Sequence, residues 1–197
     1  FRRKGYPPPM LSSLSFKSSP HQSLLLVLLT LFPVGADQTA RIGDSRPALA
    51  RRIDHLAPHV DGVLDDAMWQ QAARHEDFQQ SDPVEGAVAS EQTSFQILYD
   101  EEALFVGVRC FDSNAAGIIS RLTRRDDDIE ADWVSISLDP HHDRQSGAWF
   151  KVFASGSVGD GVYSADRSRD DSWDSIWEVA TTVDDSGWTA EFRIPYH

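Results

Sequence analysis

Hydrophobic and polar positions alternate with a period of two through most of the chain beyond residue 90. In TSFQILY, residues 93, 95, 97 and 99 share a face, and in ALFVGVRCF Leu104, Val106, Val108 and Cys110 do. WVSISLD turns Val134, Ile136 and Leu138 one way, WTAEFRI puts Trp188, Ala190, Phe192 and Ile194 on one side, and AWFKVFA and IWEVATTV complete the set. Such alternation is the pattern of strands with one face buried. YDEEALF and DDSGW read as turns between neighbours, with Gly187 supplying permissive backbone. One stretch differs. DGVLDDAMWQQA, residues 61 to 72, reads as a short helix capped by Asp65 and carrying Ala67, Met68, Trp69 and Ala72, with Asp61-Gly62 as the turn into it and Trp69 as a core plug. The pattern predicts an all-β chain: an antiparallel β-sandwich, immunoglobulin-like or jelly-roll-like, with one short N-terminal helix.

Upstream of the strands the pattern changes twice. Lys17 precedes the apolar run Leu24 to Phe32, Pro33 ends it, and Val34-Gly35-Ala36 offers small residues for cleavage. Residues 1–36 therefore read as upstream sequence and a secretory signal peptide, with Met10 as a start, because the run is shorter than the roughly 20 residues a spanning helix needs. Residues 37–55 are polar without sustained periodicity and read as a linker, leaving 56–197 as the sandwich. A chain of 197 residues with 41% hydrophobic and 25% charged content suits one globular domain and a tail.

Charge narrows the partners. Four of the 18 basic residues, Arg2, Arg3, Lys4 and Lys17, leave with the signal peptide, so 14 remain against 31 acids, a net charge of −17. Such a surface repels phosphate backbones and anionic lipid, which excludes nucleic acid and leaves neutral sugars and cations. Cys110 is the only cysteine and alternates with Leu104, Val106 and Val108, so it reads as core and no internal disulfide forms.

The ordered succession DGVLDDAMW, TSFQILYDEEALFVGVRCFD, DWVSISLD, AWFKVFASGSVGD and GWTAEFRIP resembles the family 9 carbohydrate-binding module, a sandwich of the DOMON-like group, over residues 53 to 197. It is most similar to the variant at the N-terminus of large secreted bacterial proteins with a downstream outer-membrane β-barrel region. The resemblance implies polysaccharide or oligosaccharide binding without catalysis, structural calcium, no organic cofactor, and a secreted, periplasmic or outer-membrane location in a Gram-negative bacterium. The parent protein would then act in carbohydrate catabolism, with any glycoside hydrolase activity elsewhere in it. Family members grip sugar between two tryptophans. Ile129 stands at the first of these positions, three residues before Asp132, and the second falls in strands beyond the motif that ends at Pro195, so the sandwich is expected to be short of its last strands.

Candidate contacts come from three stretches. In RDDSWDSIWEV, Trp173 among Asp170, Asp171 and Asp174 offers an indole to stack on a pyranose, with Asp171 and Asp174 to accept its hydroxyls, while Trp177 either joins it or packs inward in register with Val179, Thr181 and Val183. Trp133, opposite Val134, Ile136 and Leu138, is either a platform or covered by a loop. In RLTRRDDDIEAD, Arg125 is a ligand candidate, and Asp126, Asp127 and Asp128 offer oxygens for calcium or, equally well, pair with arginines; Asp160 and Asp166 share that ambiguity. No catalytic residue is assigned. His141 and His142 read as a hairpin loop, and Met68 as core. Three functions compete: a binding module, a hydrolase needing a carboxyl pair, and a docking domain for its own downstream barrel, which Ile129 favours. Sugar binding ranks first.

Overall fold

The computed structural model describes residues 10–17 and 23–27 by their backbone, and 48–54, 56–80, 84–143, 145–164 and 168–197 in full. Among the described residues eleven strands form two sheets. In chain order they are β1 Met10–Lys17, β2 Ser23–Val27, β3 Ala50–Arg52, β4 Thr93–Tyr99, β5 Ala103–Phe111, β6 Trp133–Asp139, β7 Gly147–Phe153, β8 Val158–Tyr163, β9 Arg169–Asp170, β10 Glu178–Asp184 and β11 Gly187–Pro195. One sheet runs β2-β1-β6-β7-β8-β9 and the other β10-β11-β5-β4-β3. All neighbours are antiparallel except β3, which lies parallel to β4. The chain is the expected β-sandwich.

The faces fall as the alternation requires. Phe95, Ile97, Leu104, Val106, Val108, Trp188, Ala190, Phe192 and Ile194 from one sheet meet Val134, Ile136, Leu138, Phe150 and Val152 from the other in one buried cluster. Each large apolar side chain removed from water there contributes roughly 1.5–3 kcal/mol. Cys110 lies in the same layer, fully buried, and burial pushes its thiol well above the ordinary range, so it is core and not a nucleophile.

Three parts of the chain depart from the pattern. Residues 65–72 do not form a capped helix: only Trp69–Gln71 make a single 3-10 turn, and Met68 precedes it without a side-chain cap. Asp66, not Asp65, is the acid used, accepting the His59 amide at 2.9 Å. The segment is held by tertiary contacts instead, as the outer face of the second sheet shows. There Glu191, wholly buried, accepts the amides of Asp61 and Gly62, both at 3.1 Å, and the Trp69 indole N–H at 2.9 Å. Trp69 therefore plugs a second, smaller cluster with Leu98, Ala103 and Phe105, outside the main core. Gly62 sits at φ +84°, and a Cβ there would lie 2.8 Å from the Thr181 carbonyl carbon, so only glycine lets this turn press onto the sheet.

Second, the stretch read as a linker contributes β3 at the sheet edge, with Arg51 donating to the Gln71 side chain at 2.7 Å. Third, β8 and β9 escape the alternation. VGDGVY is broken by glycines, and Gly161 is there because a Cβ would come within 2.6 Å of Trp149 Nε1. Within the segment read as a signal peptide, β1 runs antiparallel along the edge of β6, pairing Phe16 with Val134 and Leu14 with Ile136. Among the described residues no helix is long and apolar enough to cross a membrane.

Candidate functional site

Where β9 ends, the chain must pass from the first sheet to the second to begin β10. Residues 171 to 177 make that crossing over the open side of the sandwich, and the sequence supplies both halves of what the crossing needs. Trp177 closes the gap: its indole stacks on Phe192 of β11, with centroids 5.8 Å apart and planes 7° apart, and meets Phe150 of β7 edge-on at 5.4 Å. It is half-buried in the main core, so the inward reading of Trp177 holds. Trp173 stays at the surface, 36% exposed, with only a T-shaped contact to Phe150 at 6.3 Å. Ile176 beside it is 89% exposed.

The loop carrying Trp173 is tied down by carboxylates. Asp170 accepts the Ser172 hydroxyl at 2.7 Å and the Ser172 amide at 2.9 Å, and these bonds hold its carboxyl below the ordinary range. Asp171 pairs with Arg169, whose guanidinium lies 3.9 Å above the Trp149 ring. Asp174 forms an ion pair with Arg125 Nε at 2.8 Å. Asp160, fully buried on β8, accepts the Ser175 amide at 2.6 Å through Oδ2 and pairs through Oδ1 with Arg125 Nη2, which also reaches the Ser175 carbonyl at 3.2 Å.

Arg125 is brought there by the edge of β8. Beyond the end of β9 that edge is free, and Asp126 takes the place of a neighbouring strand. Its amide donates to the Val158 carbonyl at 3.1 Å and its Oδ1 accepts the Asp160 amide at 3.0 Å. The backbone of Asp126 is left-handed there, at φ 63°, a conformation Asp tolerates. Thus Arg125, Asp171, Asp174, Trp173 and Trp177 lie on or against one loop.

Trp133 does not join them. It projects from the outer face of β6, where the Lys151 ammonium lies 4.8 Å from its ring centroid and 4.5 Å from that of Phe153, so a cation covers the indole in place of a ligand. Ile129 is half-buried. Asp126, Asp127 and Asp128 do not converge on a common point: Asp127 faces Thr123 Oγ1 at 3.5 Å and Asp128 pairs with Lys151 at 2.9 Å. The carboxylates that do converge are Asp126, Asp160 and Asp174, with oxygens within 4.8 Å of one another. Arg125 stands among them, 3.7 Å from Asp126 and 2.8 Å from Asp174 and bonded to Asp160. Calcium needs six to eight oxygen ligands. The set offers three converging oxygens, and the Arg125 guanidinium seated among them offsets one of its three negative charges. Asp166 lies outside the described residues.

Asp160, read from the sequence as either a calcium ligand or an arginine partner, pairs with Arg125. Its signal is present in VGDGV: in period two with Val158 and Val162 it points inward, and a carboxylate at an inward position demands a buried partner.

The comparisons agree with this fold. The profile of the family described as "Carbohydrate family 9 binding domain-like" matches residues 60–197. Among solved structures, a family 9 carbohydrate-binding module from Caldicellulosiruptor kristjanssonii in complex with cellotriose is similar at 17% identity and TM-score 0.52, over 75% of this chain and 67% of that one. The same organism's module in complex with glucose is similar at 18% identity and TM-score 0.52, over 75% and 69%. Among curated proteins, none matches the chain. Since the family profile spans all of the sandwich from residue 60 onward, the chain belongs to the carbohydrate family 9 binding domain-like family.

Proposed function

We propose that this chain is a non-catalytic carbohydrate-binding module that takes an oligosaccharide, or a segment of a polysaccharide, across Trp173. The observation that carries the reading is a large indole left exposed on a loop that is otherwise fastened at Asp170, Asp171, Asp174 and Ser175. An aromatic ring held rigidly at the surface stacks on the C–H face of a pyranose at little entropic cost. Asp171 and Asp174 each give Oδ1 to an arginine and keep Oδ2 to accept sugar hydroxyls. Family membership supports binding without catalysis, and the relatives' complexes with cellotriose and glucose point to neutral glucose-based ligands. Trp177 supports the platform from below rather than forming it.

The test is titration of intrinsic tryptophan fluorescence with neutral soluble oligosaccharides. A saturable change that Trp173→Ala removes while the melting curve stays in place is expected. No response to any of them from folded protein contradicts the reading. Ile129 at the family's platform position favours a second role, docking on a downstream barrel of the same polypeptide; failed assembly on deleting the module, without glycan binding, distinguishes it. Export to the periplasm or outer membrane is supported by the apolar run and small residues before Asp37, and cell fractionation with N-terminal sequencing tests it. Cleavage at Ala36 would release β1 and leave the edge of β6 unpaired.

A further inference from the structure

Arg125 looks from the sequence like a hand reaching for sugar, but two of its three nitrogens are already engaged within the protein. Nε serves Asp174, and Nη2 serves Asp160 and the Ser175 carbonyl. Asp160 has both oxygens committed, one to Arg125 and one to the Ser175 amide. Ser175 is therefore gripped at its N–H and its C=O by two side chains that grip each other. It lies between Trp173 and Trp177, two residues from each. We infer that Asp160 and Arg125 are the positioning pair that holds Trp173 where a sugar meets it. The inference rests on the reading of Trp173 as the binding surface.

The chemistry explains why this pair and no other is used. A buried carboxylate needs compensation, and Asp160 finds it in one charged and one backbone donor. A guanidinium presents several donors in a rigid plane and can bridge Asp160, Asp174 and a carbonyl together, which the point charge of a lysine cannot. Asp126 closes the arrangement by bonding the Asp160 amide, so the 121–130 loop, β8 and the Trp173 loop form one unit. Without the pair, the loop keeps Trp177 in the core but loses the anchor nearest the platform.

Arg125→Lys and Asp160→Asn, singly and together, test this. Three quantities are read: the Kd for cellotriose, acrylamide quenching of tryptophan fluorescence, and hydrogen exchange of the Ser175 amide. Each single variant is expected to weaken cellotriose binding roughly tenfold, to speed Ser175 exchange and to raise quenching, while exchange in β5 and β11 stays unchanged. The double variant is expected to lose no more than either single one, because the two side chains act as a unit. Faster Ser175 exchange with unchanged Kd would overturn the positioning role. Additive losses with Ser175 exchange unchanged would overturn it in the other direction, by making Arg125 a direct contact. Should Asp160→Asn fail to fold, Arg125→Lys alone decides. A wild-type protein that binds no neutral glycan would sink the proposed function and the binding half of this inference, while exchange at Ser175 would still decide whether the pair holds the loop.

Discussion

Two of the buried carboxylates in the sandwich do the same job on different sides of the molecule. Glu191 on β11 and Asp160 on β8 are both wholly buried, and each fastens a segment that has no regular structure of its own by accepting its backbone amides. Each segment carries a tryptophan. At Glu191 the indole turns in, donates to the carboxylate and is sealed; at Asp160 the indole of Trp173 turns out and is 36% exposed. The difference lies in the donor that completes each carboxylate. Glu191 is completed by Trp69 itself, so the knot is closed, whereas Asp160 is completed by Arg125, and Trp173 is left free to meet something else. On the proposed reading of Trp173, the same anchoring device serves structure in one place and presentation in the other.

Breaking the closed knot should have the largest effect. Trp69→Ala empties the second cluster and leaves Glu191 short of a donor; a loss of about 3–5 kcal/mol is expected, measured by urea unfolding. Glu191→Ala strands three donors at about 1–3 kcal/mol each, so its cost should be comparable, with Glu191→Gln milder because its shape is kept. A change within about 0.5 kcal/mol, the range of ordinary surface substitutions, would show that the knot holds nothing. Trp173→Ala, by contrast, should fall near that surface range in stability and remove the glycan response.

Smaller effects separate the charges by pH. Burial pushes the Glu191 carboxyl above the usual carboxylate range, against the opposing pull of its three hydrogen bonds. The folded state thus holds that proton more tightly than the unfolded chain, and stability falls as pH rises through the interval between the ordinary and the raised value. Asp184 behaves oppositely. Hydrogen bonds from Arg109, at 2.7 and 2.8 Å, and from Ser186 hold it well below its ordinary value. Its contribution is present above that value and is lost as pH falls beneath it. Melting curves across pH should accordingly flatten on the acid side for Asp184→Asn and on the less acidic side for Glu191→Gln. A wild-type curve followed by both variants would remove the assignment. The smallest effect concerns metal: with Arg125 seated among Asp126, Asp160 and Asp174, chelator should leave both melting and glycan titration where they were, and a calcium-dependent rise in melting temperature would contradict that seating.

The strands were legible because their faces obey one rule, water on one side and core on the other, and Val134-Ile136-Leu138 or Leu104-Val106-Val108-Cys110 state it without help from distant residues. The 61–72 stretch misleads because its acids, glycine and tryptophan imitate a capped helix, while its real partner, Glu191, lies more than a hundred residues away. The same holds for the site. Trp173 could be found from its acidic neighbours, but whether Trp133 is open depends on Lys151 of the next strand, and whether Arg125 is free depends on Asp160 and Ser175. Patterns along the chain report local faces; pairing across sheets decides which polar groups are already taken.

The most direct test compares the two tryptophans in one experiment: fluorescence titration with cellotriose, alongside thermal melting, for the wild type, Trp173→Ala and Trp69→Phe. The account predicts that Trp173→Ala melts like the wild type and shows no saturable response, while Trp69→Phe melts lower and still binds. Retained binding in folded Trp173→Ala would contradict it and place the sugar elsewhere on the sandwich.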